Sequence, residues 1–490
     1  MAPRTFSVAV MAAVVWMSGT GCGSDDDGGG DGTLPDGACA VDGECTEPGL
    51  ERCLDGVCVE CEVDENCPAE EAVCGAGHAC EPCTQVADCE RFVEQSVCDE
   101  ASGACVQCLK DEDCAVIDWV CDEDVMTCVG CRSHDECPSD LCALPIGIGV
   151  IAEVGECVAE GNVLYVEEGG DGTDCTRADP CGSIQQAVDE VFGDRNKVKV
   201  AAGDYAENVV MDVGFASIHA EPGAVLSAVT SGPPVIDLQS GDLEVRGLEI
   251  TGATGAAGAD GIGCFASTLT LVDVTIRDNE ADGIRADFCQ MMVLSSQISG
   301  NKGAGLRAVA EGLHGLYLTS SRLYANAGGG VSLDGVEFVV VNNFIHENGN
   351  AGVTSPAVAV SGDAASSRLE HNTIVGNLHP TDAPSGVVCT DLVDPLTFIN
   401  NIIHDNGGST TQVSGDGCDH RYSLIGPDAA PGTGNISVAP SFVDADADDY
   451  HLEPNSRGVD EGTFSAEDLD IDGDPRPVVE FDIGADEVPQ

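Results

Sequence analysis

Two arginines and two aspartates form the clearest candidate catalytic group in the middle of this sequence. Arg285 follows Gly-Ile and Arg307 follows Gly-Leu, and the two positions are 22 residues apart by subtraction. A chain that winds into coils of that length would place both guanidinium groups on one face, near Asp282 and Asp287. The alternative is a set of ion pairs on a solvated surface, which contribute little to stability.

A second candidate is a column of side chains, each two residues before a repeated asparagine. Its members are Arg277, Ser299, Tyr324, His346, Val375 and His404. Stacked repeats place equivalent residues above one another, so these side chains are expected to form a stripe on the surface. Aromatic and imidazole rings can support a sugar ring, and Tyr324, His346 and His404 are therefore the predicted ligand-binding residues. Ordinary surface positions are the alternative.

An acidic cluster near the end of the chain is the candidate metal site. Asp470, Asp472 and Asp474 surround a glycine in the sequence Asp-x-Asp-Gly-Asp. Clustered carboxylates are what hard, oxygen-seeking cations bind, so these three aspartates are predicted Ca²⁺ ligands and Ca²⁺ is the candidate cofactor. The motif lacks the downstream glutamate of an EF-hand loop.

Twenty of the 27 cysteines lie in five sets of four between Cys39 and Cys157. By subtraction, the first members of the sets are 22, 22, 25 and 23 residues apart. Few large apolar side chains lie between them, which predicts small modules held by disulfides, two per module. The C-x2-C joins between sets leave zinc as an alternative, but the recurring C-x5-C spacing and an oxidising compartment favour disulfides.

Six cysteines lie beyond this region, and spacing predicts how they pair. Two pairs are separated by 25 and 29 residues, each one coil length, which predicts bridges between matching points of adjacent coils. The third pair flanks a loop. The predicted disulfides are Cys264 with Cys289, Cys389 with Cys418, and Cys175 with Cys181.

A repeated phrase between about residues 243 and 407 indicates the elements that position these groups. An apolar pair, two variable residues and an asparagine return every 22 to 29 residues. The phrase ends at Asn279, Asn301, Asn326, Asn348, Asn377 and Asn406. The runs are short, β-branched and punctuated by Gly, Asn and Asp, so each unit consists of strands and turns. Units too short to bury their own apolar faces must stack on one another, as in a solenoid.

The fold class predicted from this repeat is all-β, a single-stranded parallel β-helix solenoid after a small disulfide-rich region. The predicted interior stack is Ile276, Ile298, Leu323, Ile345, Ile374 and Ile403. The asparagine column is expected to be structural, because asparagine tolerates left-handed turn geometry and its amide bonds to the copies above and below.

The charge of the chain restricts its partners. Its 490 residues include 19 basic and 86 acidic residues, which gives a formal net charge of −67. Such a surface repels nucleic acid and anionic lipid, so neither is an expected partner. The simplest role of this acidity is solubility, and a monomer is expected.

The N-terminus reads as an export signal over residues 1–21, with Arg4 before a short apolar segment. The small residues before Cys22 resemble the lipobox of bacterial lipoproteins, although Gly19 stands where that family usually has Leu. The resemblance implies lipidation of Cys22 and an exported protein at the outer membrane or cell surface, attached only through acyl chains. Plain secretion is the alternative. Residues 22–38 are predicted to be a flexible tether.

Several motifs at the start of the solenoid resemble right-handed parallel β-helix proteins of the pectate-lyase-like group. They are Tyr165-Val166, the loop from Gly169 to Asp174, Pro180 to Ala187, and Gly203 to Glu207. Ser183 is predicted to cap a short helix over the open end of the coils. The stretch from Pro440 to Glu487 resembles the end of such proteins. The resemblance implies a right-handed β-helix at 162–440 and a C-terminal end or cap at 441–490. The cysteine spacing places the disulfide repeats before them, at 39–158.

The resemblance also implies two alternative functions. Lyases of the group use calcium and aspartates to hold uronates and a basic residue to remove a proton, roles that would fall to Arg285, Arg307, Asp282 and Asp287. However, only eight basic residues lie between Ala201 and Pro440, and the motifs of the glycosidases of this fold are missing. The prediction is therefore a non-catalytic surface lipoprotein that binds a polysaccharide or a surface protein, with a polysaccharide lyase as the alternative.

Overall fold

The computed structural model describes residues 42, 45 and 50–489, except for short gaps at 56, 115–118, 148–151, 256–257, 311–314, 351–354, 380–383 and 408. The predicted signal peptide, the tether and Cys22 lie outside these residues. No described helix is both long and apolar enough to cross a membrane. The chain forms two compact units, Met1–Leu109 and Lys110–Gln490.

The first unit consists of short antiparallel hairpins joined by disulfides. Its strands are Arg52–Leu54 with Val57–Val59, Val73–Cys74 with Cys80–Glu81, and Val97–Asp99 with Ala104–Val106. Its 3-10 turns are Asp64–Asn66, Ala69–Glu71 and Val86–Asp88. Its disulfides include Cys45–Cys58, Cys61–Cys74, Cys67–Cys80, Cys83–Cys98 and Cys89–Cys105. Within a set, the first cysteine pairs with the third and the second with the fourth, which confirms the prediction of disulfides over zinc.

The second unit begins at Lys110, within the fourth disulfide module, and includes the fifth. Their strands are Val120–Asp122 with Thr127–Val129 and Cys142–Ala143 with Glu156–Cys157. Their helical segments are Asp111–Cys114, His134–Glu136 and Glu160–Asn162. Their disulfides include Cys114–Cys128, Cys131–Cys142 and Cys137–Cys157.

The fifth module is fixed to the first coils of the solenoid. The Tyr165 hydroxyl donates to the Ser139 carbonyl at 2.9 Å, and Arg246 Nη2 donates to the Leu144 carbonyl at 2.7 Å. Hydrogen bonds from charged donors are stronger than neutral ones. The module is therefore part of the solenoid's surface and not a free spacer.

After the fifth module, the second unit continues as a right-handed parallel β-helix with three sheets. Sheet 1 contains Val163–Val166, Lys197–Val200, Phe215–Ala220, Asp242–Arg246, Thr268–Val272, Gln290–Leu294, Gly315–Thr319, Glu337–Val341, Arg368–Glu370, Leu396–Ile399 and Cys418–Arg421. Sheet 2 contains Gly203–Ala206, Ala224–Ser227, Glu249–Thr251, Thr275–Arg277, Gln297–Ser299, Arg322–Tyr324, Phe344–His346, Thr373–Val375, Ile402–His404 and Leu424–Gly426. Sheet 3 contains Val209–Met211, Ile236–Gln239, Ile262–Phe265, Ile284–Asp287, Leu306–Val309, Val331–Asp334, Val358–Ser361, Val387–Thr390 and Val413–Ser414.

The predicted interior stack is confirmed. Its six members are fully buried and pair in register along sheet 2, from Ile276 to Ile403. Each buried aliphatic side chain of this size contributes roughly 1.5–3 kcal/mol relative to exposure, so the stack is a main source of stability.

The repeated asparagines form a buried ladder. Asn326 Nδ2 donates to Asn348 Oδ1 at 3.0 Å, and Asn348 Nδ2 donates to Asn377 Oδ1 at 2.9 Å. The left-handed residue is the one before each asparagine, such as Glu347 with φ 53°. The prediction of stacked amides was correct, but the assignment of the turn to asparagine was wrong, because that side chain is needed inside the coil.

A second polar ladder runs beside the first and was not predicted. Ser321 N donates to Asn343 Oδ1 at 3.0 Å, and Asn343 Nδ2 donates to Asn372 Oδ1 at 3.0 Å. Asn372 continues the ladder to Asn401 in the same way. These positions lie five residues before the repeated asparagines. The recurrence of Ser or Asn at that offset could have predicted the second ladder from the sequence.

A short helix at the first coil matches the prediction. Ile184–Asp189 begins after Ser183, whose Oγ accepts a hydrogen bond from Gln186 N at 3.1 Å. Glu207, from the Gly-x-Tyr-x-Glu turn, accepts the Ile184 amide at 2.7 Å and the Ser183 hydroxyl at 2.6 Å. A carboxylate at a helix N-terminus also interacts favourably with the helix dipole.

All three predicted cysteine pairs form disulfides. In two of them, however, the cysteines do not occupy matching points of adjacent coils. Cys264 pairs in register with Ala286, not with Cys289, which lies directly before a sheet 1 strand. Cys389 of sheet 3 is likewise bonded to Cys418 of sheet 1. Both bridges therefore cross the corner between sheets 3 and 1, because coil lengths vary and a separation of one coil length does not guarantee matching positions.

The C-terminal segment lies against the outward side of sheet 2. It begins with the strands Phe442–Asp444 and Asp449–Leu452 around the 3-10 turn Ala445–Ala447. Its residues Tyr450, Leu452 and Ile483 form a second apolar cluster with the outward side chains Phe344 and Ile402. Earlier coils have polar residues at that outward position, such as Thr275, Gln297 and Arg322. The change to apolar residues marks where the segment covers the sheet.

A buried histidine of sheet 1 is expected to make stability fall in acid. Burial lowers the pKa of His420 to about 4, and its ring packs edge-on against Phe398. Between an unfolded pKa of about 6.5 and the folded value, the unfolded chain binds a proton that the native chain does not, so stability decreases as pH falls. We expect a loss on the order of 3 kcal/mol from pH 7 to pH 4. Denaturant unfolding at both pH values should show a smaller loss for His420→Leu, and an unchanged difference would contradict this assignment.

Candidate functional site

The outward side of sheet 3 places two arginines beside each other on adjacent strands. Arg285 and Arg307 pair in register, with Gly263 on one side of the pair and Ser332 on the other. Adjacent strands are about 4.8 Å apart, so the two guanidinium groups share one patch. We call the patch formed by Phe265, Arg285, Asp287, Arg307 and Ser332 the arginine face. The two arginines therefore lie next to each other on one face, as predicted.

Arg307 is held by a buried carboxylate. Its Nε donates to Asp282 Oδ2 at 2.7 Å and its Nη2 contacts Asp282 Oδ1 at 3.3 Å. Asp282 Oδ1 also accepts the Ala304 amide at 2.7 Å. The amide of Asp282 in turn donates to Asp260 Oδ1 at 2.8 Å, and burial raises the pKa of Asp260. This network fixes the position of the Arg307 guanidinium.

Arg285 is the more accessible of the two arginines. Its side chain is 51% exposed, and its Nε lies 3.3 Å from Asp287 Oδ2. A surface ion pair of this length is weak, so Arg285 can exchange its partner for another anion at low cost. Phe265 pairs in register with Asp287, and its exposed ring meets Phe288 edge-on at 6.4 Å. The arginine face thus combines a cationic pair with an exposed aromatic edge.

Two of the four predicted catalytic residues, Asp282 and Arg307, are engaged with each other within the protein. Both Asp282 oxygens are engaged within the protein and the side chain is only 9% exposed, so it offers no site for a cation. The hydrogen bond to Asp282 raises the pKa of Arg307, which keeps that guanidinium protonated. A general base must give up its proton near the working pH. Of the four predicted catalytic residues, only Arg285 and Asp287 remain open to solvent-borne groups.

The predicted ligand stripe on sheet 2 is formed in register but is largely covered. Tyr324, His346 and Val375 follow one another across adjacent strands, and His404 comes next. His346 and His404 are buried, whereas Tyr324 is half-buried. Tyr450 of the C-terminal segment lies over His346, with ring centroids 4.8 Å apart. The prediction of two exposed histidines was wrong. Tyr450, which is distant in sequence, packs on His346, and His404 is buried beside Gly426 of the next strand.

The predicted calcium loop is closed by its own aspartate. Asp470 Oδ1 accepts the amides of Asp472 and Asp474 at 2.9 and 2.8 Å, and its Oδ2 accepts the Glu487 amide at 3.0 Å. The carboxylate of Asp472 contacts His451 Nε2 at 2.7 Å. Asp470 is therefore a turn-forming residue here, and two of the three proposed ligands already have partners within the protein.

Sequence reasoning missed the aromatic edge of the arginine face. Phe265 is the last residue of its strand and Phe288 lies in a turn with φ 58°. An aromatic residue at the outward, alternate position of a short strand was a signal for exposure, because side chains alternate between the two sides of a strand.

Comparison with known proteins supports the fold and gives no activity. The family model described as right handed beta helix region matches residues 260–421. A solved structure titled "Crystal structure of pectate lyase Pel9A" is 15% identical, with a TM-score of 0.48, and the match covers 67% of this chain and 96% of that chain. No curated protein matches this sequence.

Proposed function

We propose that this chain is an exported, non-catalytic β-helix protein that binds acidic glycans at the arginine face. The observation that carries the proposal is the pairing of Arg285 with Arg307 on adjacent strands of a chain with net charge −67. Like charges directly opposite each other on a sheet are destabilising. A pair kept side by side, with one member held loosely, is suited to an anionic partner.

The chemistry of the face selects a carboxylated sugar. Arginine binds carboxylates through paired N–H groups, and an aromatic edge packs against the apolar side of a sugar ring. Arg285 supplies the first of these, and Phe265 the second. The chain as a whole carries 86 acidic against 19 basic residues and repels anions, so a patch with two adjacent arginines is where an acidic polymer is expected to bind.

Export is proposed from the disulfides and the N-terminal sequence. Disulfides at the density of the first unit persist in oxidising compartments. Lipidation at Cys22 would attach the protein to a membrane without a spanning helix. Mass spectrometry of the mature N-terminus would test this, since a diacylglyceryl-modified Cys22 supports the proposal and an unmodified N-terminus near that position supports secretion.

Binding is tested by calorimetry with a defined uronate oligosaccharide. We expect a hexamer of galacturonate to bind the full chain, with affinity falling as salt screens the arginines, and a neutral maltohexaose not to bind. Arg285→Gln should weaken binding about tenfold or more, since a hydrogen bond to a charged group contributes roughly 1.5–3 kcal/mol. Arg277→Gln is the matched control, because Arg277 is similarly exposed but lies on sheet 2.

The second function, a polysaccharide lyase, predicts different outcomes. It requires release of unsaturated uronate products, which absorb in the ultraviolet, when the protein meets acidic polysaccharides in calcium. Product formation by the full chain that Arg285→Gln abolishes would replace the binding proposal with the lyase. Equal affinity of Arg285→Gln and the parent chain for the hexamer would remove the arginine face from the function.

A further inference from the structure

A histidine and two carboxylates meet where the C-terminal segment crosses sheet 2. His346 ends the strand Phe344–His346, Glu347 follows it, and Asp448 ends the 3-10 turn Ala445–Ala447. One donor atom from each residue lies within 4.8 Å of the other two. Glu347 and Asp448 both have left-handed backbones, with φ 53° and 60°.

The imidazole of this group has an unused donor position. His346 is 2% exposed, its Nδ1 is buried without a hydrogen-bond partner, and the nearest charged atom is Asp448 Oδ1 at 3.8 Å. An unpaired buried polar atom costs about 1–3 kcal/mol, and native proteins rarely keep one without a use. Two exposed carboxylates lie close to this buried imidazole, so the three side chains together offer nitrogen and oxygen ligands to a metal ion.

The ring is held rigidly for this role. Tyr324 stacks on one side of His346 at 5.1 Å with planes 4° apart, and Tyr450 lies on it at 4.8 Å. A neutral imidazole whose orientation is fixed by packing loses little freedom on binding a metal. The two carboxylates are exposed and can close from the present separations to the roughly 3.4 Å expected between ligand atoms of a tetrahedral site.

We propose that His346 Nδ1 and the carboxylates of Glu347 and Asp448 bind a divalent transition-metal ion of the Zn²⁺ class. Imidazole nitrogen with carboxylate oxygen suits zinc and its neighbours, whereas calcium takes oxygen ligands only. Three protein ligands leave one position for water. The ion joins the C-terminal segment to sheet 2, so its binding stabilises the covered state. The site is separate from the arginine face and from the Asp470 loop.

Calorimetry with ZnCl₂ and with CaCl₂ on the full chain, stripped of metal with a chelator, tests the site. The matched variants are Asp448→Asn, which removes a ligand, and Asp446→Asn, which removes an exposed acid from the same turn. We expect one tight Zn²⁺ equivalent in the parent chain, at least tenfold weaker binding in Asp448→Asn and in Glu347→Gln, and a change within twofold in Asp446→Asn. Calcium should not compete for this equivalent.

Thermal unfolding gives a second readout that does not depend on affinity alone. Zn²⁺ should raise the midpoint of the parent chain and of Asp446→Asn but not that of Asp448→Asn, and glycan binding at the arginine face should not change. The proposal is overturned if the ligand variants bind Zn²⁺ like the parent chain, if no Zn²⁺ equivalent binds the parent chain, or if Ca²⁺ displaces it.

Discussion

Replacing Arg476 by methionine is expected to release the C-terminal segment and cost about 3–5 kcal/mol, the usual price of breaking a buried charged network. The Arg476 side chain is fully buried. It donates to the carbonyls of Gly484 and Ala485 at 3.3 and 3.0 Å and contacts His371 Nδ1 of the solenoid. Burial lowers the pKa of His371, so its ring is neutral and its Nδ1 can accept a hydrogen bond from the Arg476 guanidinium.

The measurement is chemical denaturation together with limited proteolysis of residues 441–489. Release of the segment exposes apolar side chains of sheet 2, including Phe344 and Ile402, so cleavage should accelerate before global unfolding. Arg457→Met is the matched control, because Arg457 is exposed in the same segment. A loss below 1 kcal/mol with unchanged cleavage would show that Arg476 does not anchor the segment.

Replacing Asn348 by alanine is expected to interrupt the buried ladder at its centre. Asn348 accepts from both the backbone and side-chain amides of Asn326, and its own amide donates to Asn377 Oδ1 and the Leu323 carbonyl. Alanine leaves several of these partners buried and unsatisfied, each at about 1–3 kcal/mol, so the total loss should be on the order of 4 kcal/mol.

Hydrogen exchange locates that effect. The amides of the coils next to Asn348 should exchange faster in Asn348→Ala, while the first coils keep their protection, because each repeat contacts only its neighbours. Asn455→Ala changes an exposed asparagine and should leave both stability and exchange as they are. Uniform loss of protection along the whole solenoid would contradict a local role for the ladder.

The repeat predicted the solenoid because its signal is local and recurs many times. In each coil, an interior aliphatic residue is followed three positions later by an asparagine. This pattern was sufficient to predict that Ile345 and Asn348, for example, lie inside their coil. The stacking of Arg285 on Arg307 followed from the same register. Features that arise from equivalent positions in adjacent coils could therefore be predicted from the sequence.

What the repeat could not supply was contact between distant segments. His346 was taken as exposed because nothing near it in sequence indicates that Tyr450 covers it, and loop closure over a hundred residues has little local signature. The Asp470 loop was taken as a metal site because acidic side chains that bond backbone amides look the same in sequence as those that bind cations.

The two amide ladders allow the number of coils to change without loss of hydrogen-bond partners. Each ladder residue bonds to the same position one coil away, and its other hydrogen bonds go to backbone carbonyls of its own and the neighbouring coil. The extra residues of the 25- and 29-residue coils fall outside the ladders, as the unbroken chain from Asn301 through Asn326 and Asn348 to Asn377 shows. Duplication or deletion of one entire coil would therefore restore every partner, whereas removal of two or three residues within a strand would not. Variation in size by entire turns is the change that such a chain tolerates best.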